Sequence, residues 1–206
     1  MKIETINVDP DIRISYTEIP GIVDLADASV HVGAGEVVDS IRSESRKHEI
    51  IITTLLVREL FGCNCELKHR PSGAPYLERG AEAVPEISIS HCAGLVAIAD
   101  SKKPVGVDVE IVGERVMRVR DRVFSDEELR YMGSSPVAAT IAWTAKEALY
   151  KLVPEDGLDF RGDIILDLRQ VDVRQGHNRF SAQVFGRSYR LESFLLEDKV
   201  LTVAYK

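Results

Sequence analysis

Asp108 and Glu110 stand two residues apart in Gly106-Val107-Asp108-Val109-Glu110, and a third carboxylate, Glu147, follows in Trp143-Thr144-Ala145-Lys146-Glu147-Ala148, with Lys151 one helical turn further on. Side chains alternate along a strand, so a strand here would turn Asp108 and Glu110 to one face and Val107 and Val109 to a core. On a helix beginning near Pro136, residues Trp143, Lys146, Glu147, Tyr150 and Lys151 recur at three- and four-residue spacings, so Glu147 and both lysines can share a side. Three oxygen donors suit a hard cation such as magnesium, which completes its octahedron with water and substrate phosphate oxygens. The same residues also have a plainer reading. Asp-x-Glu is common in edge strands, and Glu147 with Lys151 could be a helix-surface ion pair worth roughly a few tenths of a kcal/mol.

Other groups could hold an anion. The run Ile87-Ser88-Ile89-Ser90 reads as a short strand ending at His91, and a serine-histidine step can hydrogen-bond a phosphate and, with the imidazole protonated, neutralise it. His91 could equally be a histidine at the edge of a core. The step does not make a hydrolase triad, because the chain offers neither a Gly-x-Ser-x-Gly elbow nor an identifiable orienting acid. Arg46, Lys47 and Arg58 rim a preceding helix and could also contact phosphate, or form a solvated edge balanced by Glu44, Glu49 and Glu59.

The elements that must position these groups follow from pattern. Lys2 to Ile14 reads as strands, and about Val37 to Leu60 as a helix whose broad apolar side is Ile41, Ile51, Ile52, Leu55, Leu56 and Leu60. A loop is expected at His31-Val32-Gly33-Ala34-Gly35, whose glycines do not complete a phosphate-binding motif. A turn-rich passage follows around Pro71, Gly73, Pro75 and Gly80, then a strand to His91 and its continuation or hairpin mate from Gly94 to Ala99. A second unit starts near Lys102-Lys103-Pro104 with the strand Val105 to Glu110. Arg115, Arg118, Arg120 and Arg122 make the next segment basic. Ser125 with Glu128 then forms a helix capping box. The helix through Trp143 to Leu152 ends before Pro154 and Gly157. Ile164 to Val173, Arg179 to Phe185, Tyr189 to Leu196 and Val200 to Tyr205 suggest a terminal antiparallel sheet.

Composition narrows the function classes. With 206 residues the chain can build one substantial core or two small packed lobes. A hydrophobic share of 45% with 29% charged residues argues against overall disorder. The formal charge of −7 supplies no global basic field for nonspecific nucleic-acid binding, while leaving room for a local anion site. Cys63, Cys65 and Cys92 are odd in number and lack the further ligands of a zinc site, so isolated thiols in a reducing compartment are expected. No secretory apolar core or membrane-length run is evident, which makes the cytoplasm the expected location.

Taken in order, Gly73-Ala74-Pro75-Tyr76-Leu77, Ile87-Ser88-Ile89-Ser90-His91, Gly106-Val107-Asp108-Val109-Glu110, Phe124-Ser125-Asp126-Glu127-Glu128 and Trp143-Thr144-Ala145-Lys146-Glu147-Ala148 resemble the surfactin-synthetase-activating type of 4'-phosphopantetheinyl transferase. The resemblance implies an α+β fold of two similar α/β lobes with small antiparallel sheets in a pseudo-twofold arrangement, here residues 1–101 and 102–206, with a coenzyme A cleft between them. It implies transfer of 4'-phosphopantetheine from coenzyme A to a serine of an acyl or peptidyl carrier protein, with release of adenosine 3',5'-bisphosphate. Asp108, Glu110 and Glu147 then become magnesium ligands, Glu147 also the base, with Asp108 and Lys151 beside it in the catalytic group. Lys146 and Lys151 become phosphate or leaving-group contacts, and Ser90 and His91 the coenzyme A phosphate segment, with Arg46, Lys47 and Arg58 as further anion contacts. A monomer without nucleic-acid or membrane partners is implied, serving fatty-acid, polyketide or nonribosomal peptide synthesis. Ala74 departs from the pattern where many relatives carry lysine, Thr54 where many carry arginine, and Cys92 where serine or threonine is common. Two other functions fit some of the same residues: a coenzyme A-binding regulatory module without transfer, and a magnesium-dependent phosphoester hydrolase.

Overall fold

The protein is described here from a computed structural model covering residues 1–19, 41–153, 155 and 157–206. The loop expected at 31–35, the start of the expected helix at 37–40 and the helix-stopping Pro154 lie outside the described residues. The chain opens with the antiparallel hairpin β1 (Glu4–Asp9) and β2 (Ile12–Glu18). Helix α1 spans Glu44–Phe61; the described residues 41–43, expected within it, precede it, because the Ser43 side chain accepts the Arg46 N–H and caps the helix there. Ile51, Ile52, Leu56 and Val57 are its buried side. The β-branched run Ile50-Ile51-Ile52-Thr53-Thr54 does not break this helix, since burial of that face outweighs a weak local propensity.

The turn-rich passage contains a two-stranded ribbon, β3 (Glu66–His69) with β4 (Pro75–Glu78). Strands β5 (Glu86–Cys92) and β6 (Leu95–Ser101) form the expected hairpin, and β6 also pairs with β2. The result is a four-stranded sheet in the order β1-β2-β6-β5. Strand β7 (Gly106–Ile111) leads into α2 (Glu114–Val123), α3 (Asp126–Met132) and α4 (Pro136–Leu152). Ser125 and Glu128 make both bonds of the capping box at α3, and α4 carries Ser135 as its cap with Pro136 in its first turn. The expected strand 164–173 is shorter: β8 (Ile164–Asp167) gives way to a 3-10 turn over Leu168–Gln170, where the Asp167 side chain accepts the Arg169 N–H. Strands β9 (His177–Val184), β10 (Arg187–Leu196) and β11 (Lys199–Tyr205) complete a five-stranded antiparallel sheet in the order β7-β11-β10-β9-β8.

The chain is thus α+β, with antiparallel sheets and few helices. One face of the five-stranded sheet packs on α4 through residues such as Leu149, Ile164, Leu191 and Val200. Its other face meets the four-stranded sheet in a shared core that includes Ile12, Ile14, Val107, Val109, Leu201 and Val203. Val107 and Val109 therefore face a core, as strand alternation requires, and Asp108 and Glu110 face the helix. All three cysteines are unpaired, with Cys63 exposed and the others buried. Among the described residues no helix is long and apolar enough to cross a membrane.

Candidate active site

Two edge strands, β5 of the smaller sheet and β7 of the larger, meet through side chains. On its outer edge β7 would leave the N–H groups of Val107 and Val109 without ladder partners. The Ser88 hydroxyl accepts the first at 3.0 Å and the Ser90 hydroxyl the second at 3.3 Å. Ser90 also donates to Asp108 Oδ1 at 2.8 Å. Lys151, reaching over from α4, donates to the carbonyls of Ile89 and Val107 at 3.4 and 2.9 Å and to Asp108 Oδ1 at 2.8 Å. A lysine and two serines therefore stitch the strands together beside the carboxylate.

Gly106 sets the depth of the site. A Cβ there would come within 1.9 Å of the Ala148 carbonyl oxygen, so only glycine lets β7 lie this close to α4. The helix answers with Ala138, Ala142, Ala145 and Ala148 in its buried positions. This close packing brings Glu147 under the charge of both strand carboxylates. Burial first, then the Asp108 charge, raises the Glu147 carboxyl to about 7, with a further rise from Glu110 opposed by Lys151 and Arg115. Glu110 is raised for the same reasons in the same order, and Trp143 Nε1 donates to its Oε1 at 3.3 Å. Trp143 and Tyr150 flank the Phe160 ring at centroid distances of 6.0 and 5.5 Å, which walls the helix side of the cluster.

Asp108, Glu110 and Glu147 are thus electrostatic neighbours, yet among the described residues no three His, Cys, Asp or Glu side chains are arranged to hold a metal ion. The Lys151 ammonium occupies the position of counter-cation on Asp108 Oδ1. Asp108 Oδ2, in contrast, is buried without a partner, which is costly for an anionic oxygen. An all-oxygen donor set with one orphaned buried oxygen, and with two carboxyls raised by burial and then by the Asp108 charge, suits a hard divalent cation in its chemistry.

This electrostatic crowding has a pH signature. Between the ordinary 4.5 and about 7, folded Glu147 holds a proton that the unfolded chain has released. Its contribution to stability is therefore complete below 4.5 and is lost as pH rises through 7, with Glu110 acting in the same direction. We expect metal-free protein to melt at progressively lower temperature between pH 5 and pH 8, and magnesium to raise the melting temperature more at pH 8 than at pH 6. Differential scanning fluorimetry across that range checks both, and a magnesium effect independent of pH would show that the ion does not bind these carboxylates.

The remaining candidates divide. Arg46, on the first turns of α1, places Nη1 2.8 Å from His91 Nε2, and so joins the end of β5. Lys47 is tied to Glu44 at 2.8 Å, and Arg58 lies three turns further along, about 18 Å down the helix axis from Arg46, so the basic rim does not act as one cluster. Ser90 is buried, donates to Asp108 Oδ1 and accepts the Val109 N–H, so in this structure it holds the carboxylate and the strand. All three N–H bonds of Lys151 are likewise taken within the seam. Lys146 does not share the face of Glu147. It is 0% exposed, paired with Glu128 at 2.9 Å and bonded to the carbonyls of Phe160 at 2.5 Å and Ile164 at 2.7 Å, so its three N–H groups all have protein partners. Burial holds its ammonium below the usual lysine range, against the Glu128 charge.

Three further contributors were not legible as site residues. Ser88 has only its place in the strand, Glu49 reads as one of several balancing acids, and Glu128 is already accounted for by its cap. The only advance signal for Ser88 was its position two residues before Ser90, on the same face.

Residues 104–204, from the approach to β7 through the last strand, match the family model of the 4'-phosphopantetheinyl transferase superfamily, and this part of the chain belongs to that superfamily. The matched segment contains Asp108, Glu110, Glu147 and Lys151, while α1 and β5 lie outside it. No curated protein matches the chain.

Proposed function

We propose that this protein is a 4'-phosphopantetheinyl transferase of the surfactin-synthetase-activating type, moving the phosphopantetheine of coenzyme A onto a carrier-protein serine. The observation that carries the reading is the proximity of Glu147 to Asp108 and Glu110, through the Gly106 approach, inside the segment that matches the superfamily. In the reaction the serine oxygen bonds to the β-phosphorus of the coenzyme A pyrophosphate. The bond from that phosphorus to the bridging oxygen breaks, and adenosine 3',5'-bisphosphate leaves. A carboxylate that titrates near neutrality is suited to take the serine proton, directly or through water, and Glu147 has that property. Asp108, Glu110 and Glu147 would hold magnesium, which when bound neutralises and orients phosphoryl oxygens. Lys151 and Ser90 both donate to Asp108 Oδ1 and hold the carboxylate in place, and so act as positioning residues. The nucleophile would belong to the partner, in keeping with the lack of an activated serine or cysteine among the described residues.

We read residues 1–101 and 102–206 as two lobes, since the four-stranded sheet and the β3–β4 ribbon lie wholly in the first and the five-stranded sheet wholly in the second. Coenzyme A would lie along their junction, with His91 and Arg46 on the first lobe facing the carboxylates of the second. The test is incubation with coenzyme A, magnesium and a panel of apo carrier proteins, followed by intact-protein mass spectrometry. Addition of phosphopantetheine with matching release of adenosine bisphosphate is expected. Coenzyme A bound without labelling of any carrier would favour a regulatory module, and cleavage without a carrier a hydrolase.

For carrier docking, α2 offers the basic segment that contains Arg115, Arg118, Arg120 and Arg122. Val116 is buried and Met117 packs on the core, while Arg115, Arg118 and Arg122 recur on the exposed side of α2. Arg120 turns back to the Gly133 carbonyl at 2.8 Å. Carriers acidic around their serine would meet a local basic stripe on an otherwise acidic protein. Arg118→Glu with Arg122→Glu should raise the carrier KM about tenfold at low salt, less at high salt, and leave coenzyme A binding unchanged. Unchanged carrier saturation in the folded double variant would place docking elsewhere.

A further inference from the structure

The Arg46 and His91 pair, taken above as a phosphate subsite, already has an anion in it. Glu49, one turn after Arg46 on α1, puts Oε2 2.9 Å from Arg46 Nη1 and 3.5 Å from His91 Nδ1. Its side chain is only 16% exposed, against 52% for Arg46, so the carboxylate sits beneath the cation and the arginine closes over it. Arg46 Nη1 is a donor in every state, so at 2.8 Å His91 Nε2 must accept from it. The imidazole is then neutral, with its proton on Nδ1 toward Glu49. Burial, the largest influence, and the Arg46 and Lys151 charges act together to keep it so, against Glu49 and Asp108.

The charge count follows from the geometry. Arginine, neutral histidine and carboxylate sum to zero, so an entering phosphate dianion meets a neutral trio and must compete with Glu49 for the Arg46 N–H. We infer that Glu49 is a specificity-determining residue that weakens this subsite for phosphate, acting as a built-in competitor of the donor's anionic groups. The inference rests on the proposed transferase function, with His91 and Arg46 read as contacts of the coenzyme A phosphates. It differs from a positioning role for Glu49 in its sign: a carboxylate that merely aims Arg46 and His91 would lower phosphate affinity when removed, whereas a competitor would raise it.

The probe is adenosine 3',5'-bisphosphate, titrated by calorimetry into the whole protein without carrier. Glu49→Gln preserves shape and removes the charge, and should bind the bisphosphate roughly three- to tenfold tighter at low ionic strength, with the gain shrinking as salt is added. Glu49→Asp keeps the charge and should show no gain. Glu49→Ala provides the same reading should the glutamine variant fold poorly. In transfer assays the tighter binding should appear as a lower KM for coenzyme A with kcat little changed. Equal or weaker bisphosphate binding by the folded glutamine and alanine variants would overturn the inference while leaving the transferase reading intact. Tighter binding by those variants, with no carrier labelled by any form of the protein, would support the inference and reject transfer. Absence of bisphosphate binding in every form would overturn the phosphate subsite itself, and the inference with it.

Discussion

Glu147→Gln should lower kcat for carrier labelling by on the order of 10²- to 10⁴-fold, the usual range for loss of a positioned base, with the fold preserved. The substitution keeps the side-chain volume and removes both the proton acceptor and an anionic oxygen. It also relieves repulsion: Glu147 is raised to about 7 by burial and by Asp108, so a neutral amide is tolerated at least as well as the carboxylate above that pH. The variant should therefore melt no lower than the parent at pH 8 without magnesium, and should lose the extra stabilisation that magnesium gives the parent. Asp108→Asn should cost activity on a similar scale for a different reason. Asp108 is 5% exposed and compensates Lys151, so the amide leaves an ammonium in the seam without its counter-charge, and some stability, about 1–3 kcal/mol, should go with the activity. Near-normal transfer by folded Glu147→Gln would remove Glu147 from the reaction, and near-normal transfer by folded Asp108→Asn would do the same for Asp108.

Strand alternation made Asp108 and Glu110 legible, because a period of two fixes the face as soon as the strand is recognised. The helix through Glu147 was equally clear from Pro136 at its start and the three- and four-residue spacings of Trp143, Lys146, Glu147, Tyr150 and Lys151. Which lysine would share the site was not clear. Consecutive helical residues differ by about 100°, so Lys146 and Glu147 straddle the boundary between the buried face and the site, and periodicity does not say on which side of that boundary a lysine ends. The answer depends on Glu128, eighteen residues upstream, whose role as a cap had already used up its apparent meaning.

The seam between β5 and β7 was hidden for a related reason. Ser88 and Ser90 look like the polar half of an ordinary amphipathic strand, and only the tertiary fold brings an edge with unpaired amides opposite them. The β3–β4 ribbon was missed because four-residue strands interrupted by proline and glycine give too little alternation to separate from turns. Local pattern thus fixed the face on which Asp108 and Glu110 stand, whereas the hydrogen bonds that hold Asp108 there are decided by long-range packing.

Lys146→Met should destabilise the protein by about 3–5 kcal/mol while leaving the KM for coenzyme A of the remaining folded protein unchanged. Lys146 is fully buried with three oxygen partners, the Glu128 carboxylate and two backbone carbonyls. Methionine fills most of the volume but satisfies none of them, and it leaves Glu128 as a buried anion supported only by the amides of Ser125 and Leu166 at 2.7 and 2.8 Å. Those amides also explain why replacing both members of the pair by apolar residues should not restore the loss: without Glu128 the α3 cap and the β8 backbone would each carry an unpaired donor. A lysine that served phosphate would behave in the opposite way, with a raised KM and near-normal stability. Urea denaturation and coenzyme A saturation on the same preparation separate the two roles. A stability loss under about 1 kcal/mol accompanied by a higher KM would return Lys146 to the substrate site.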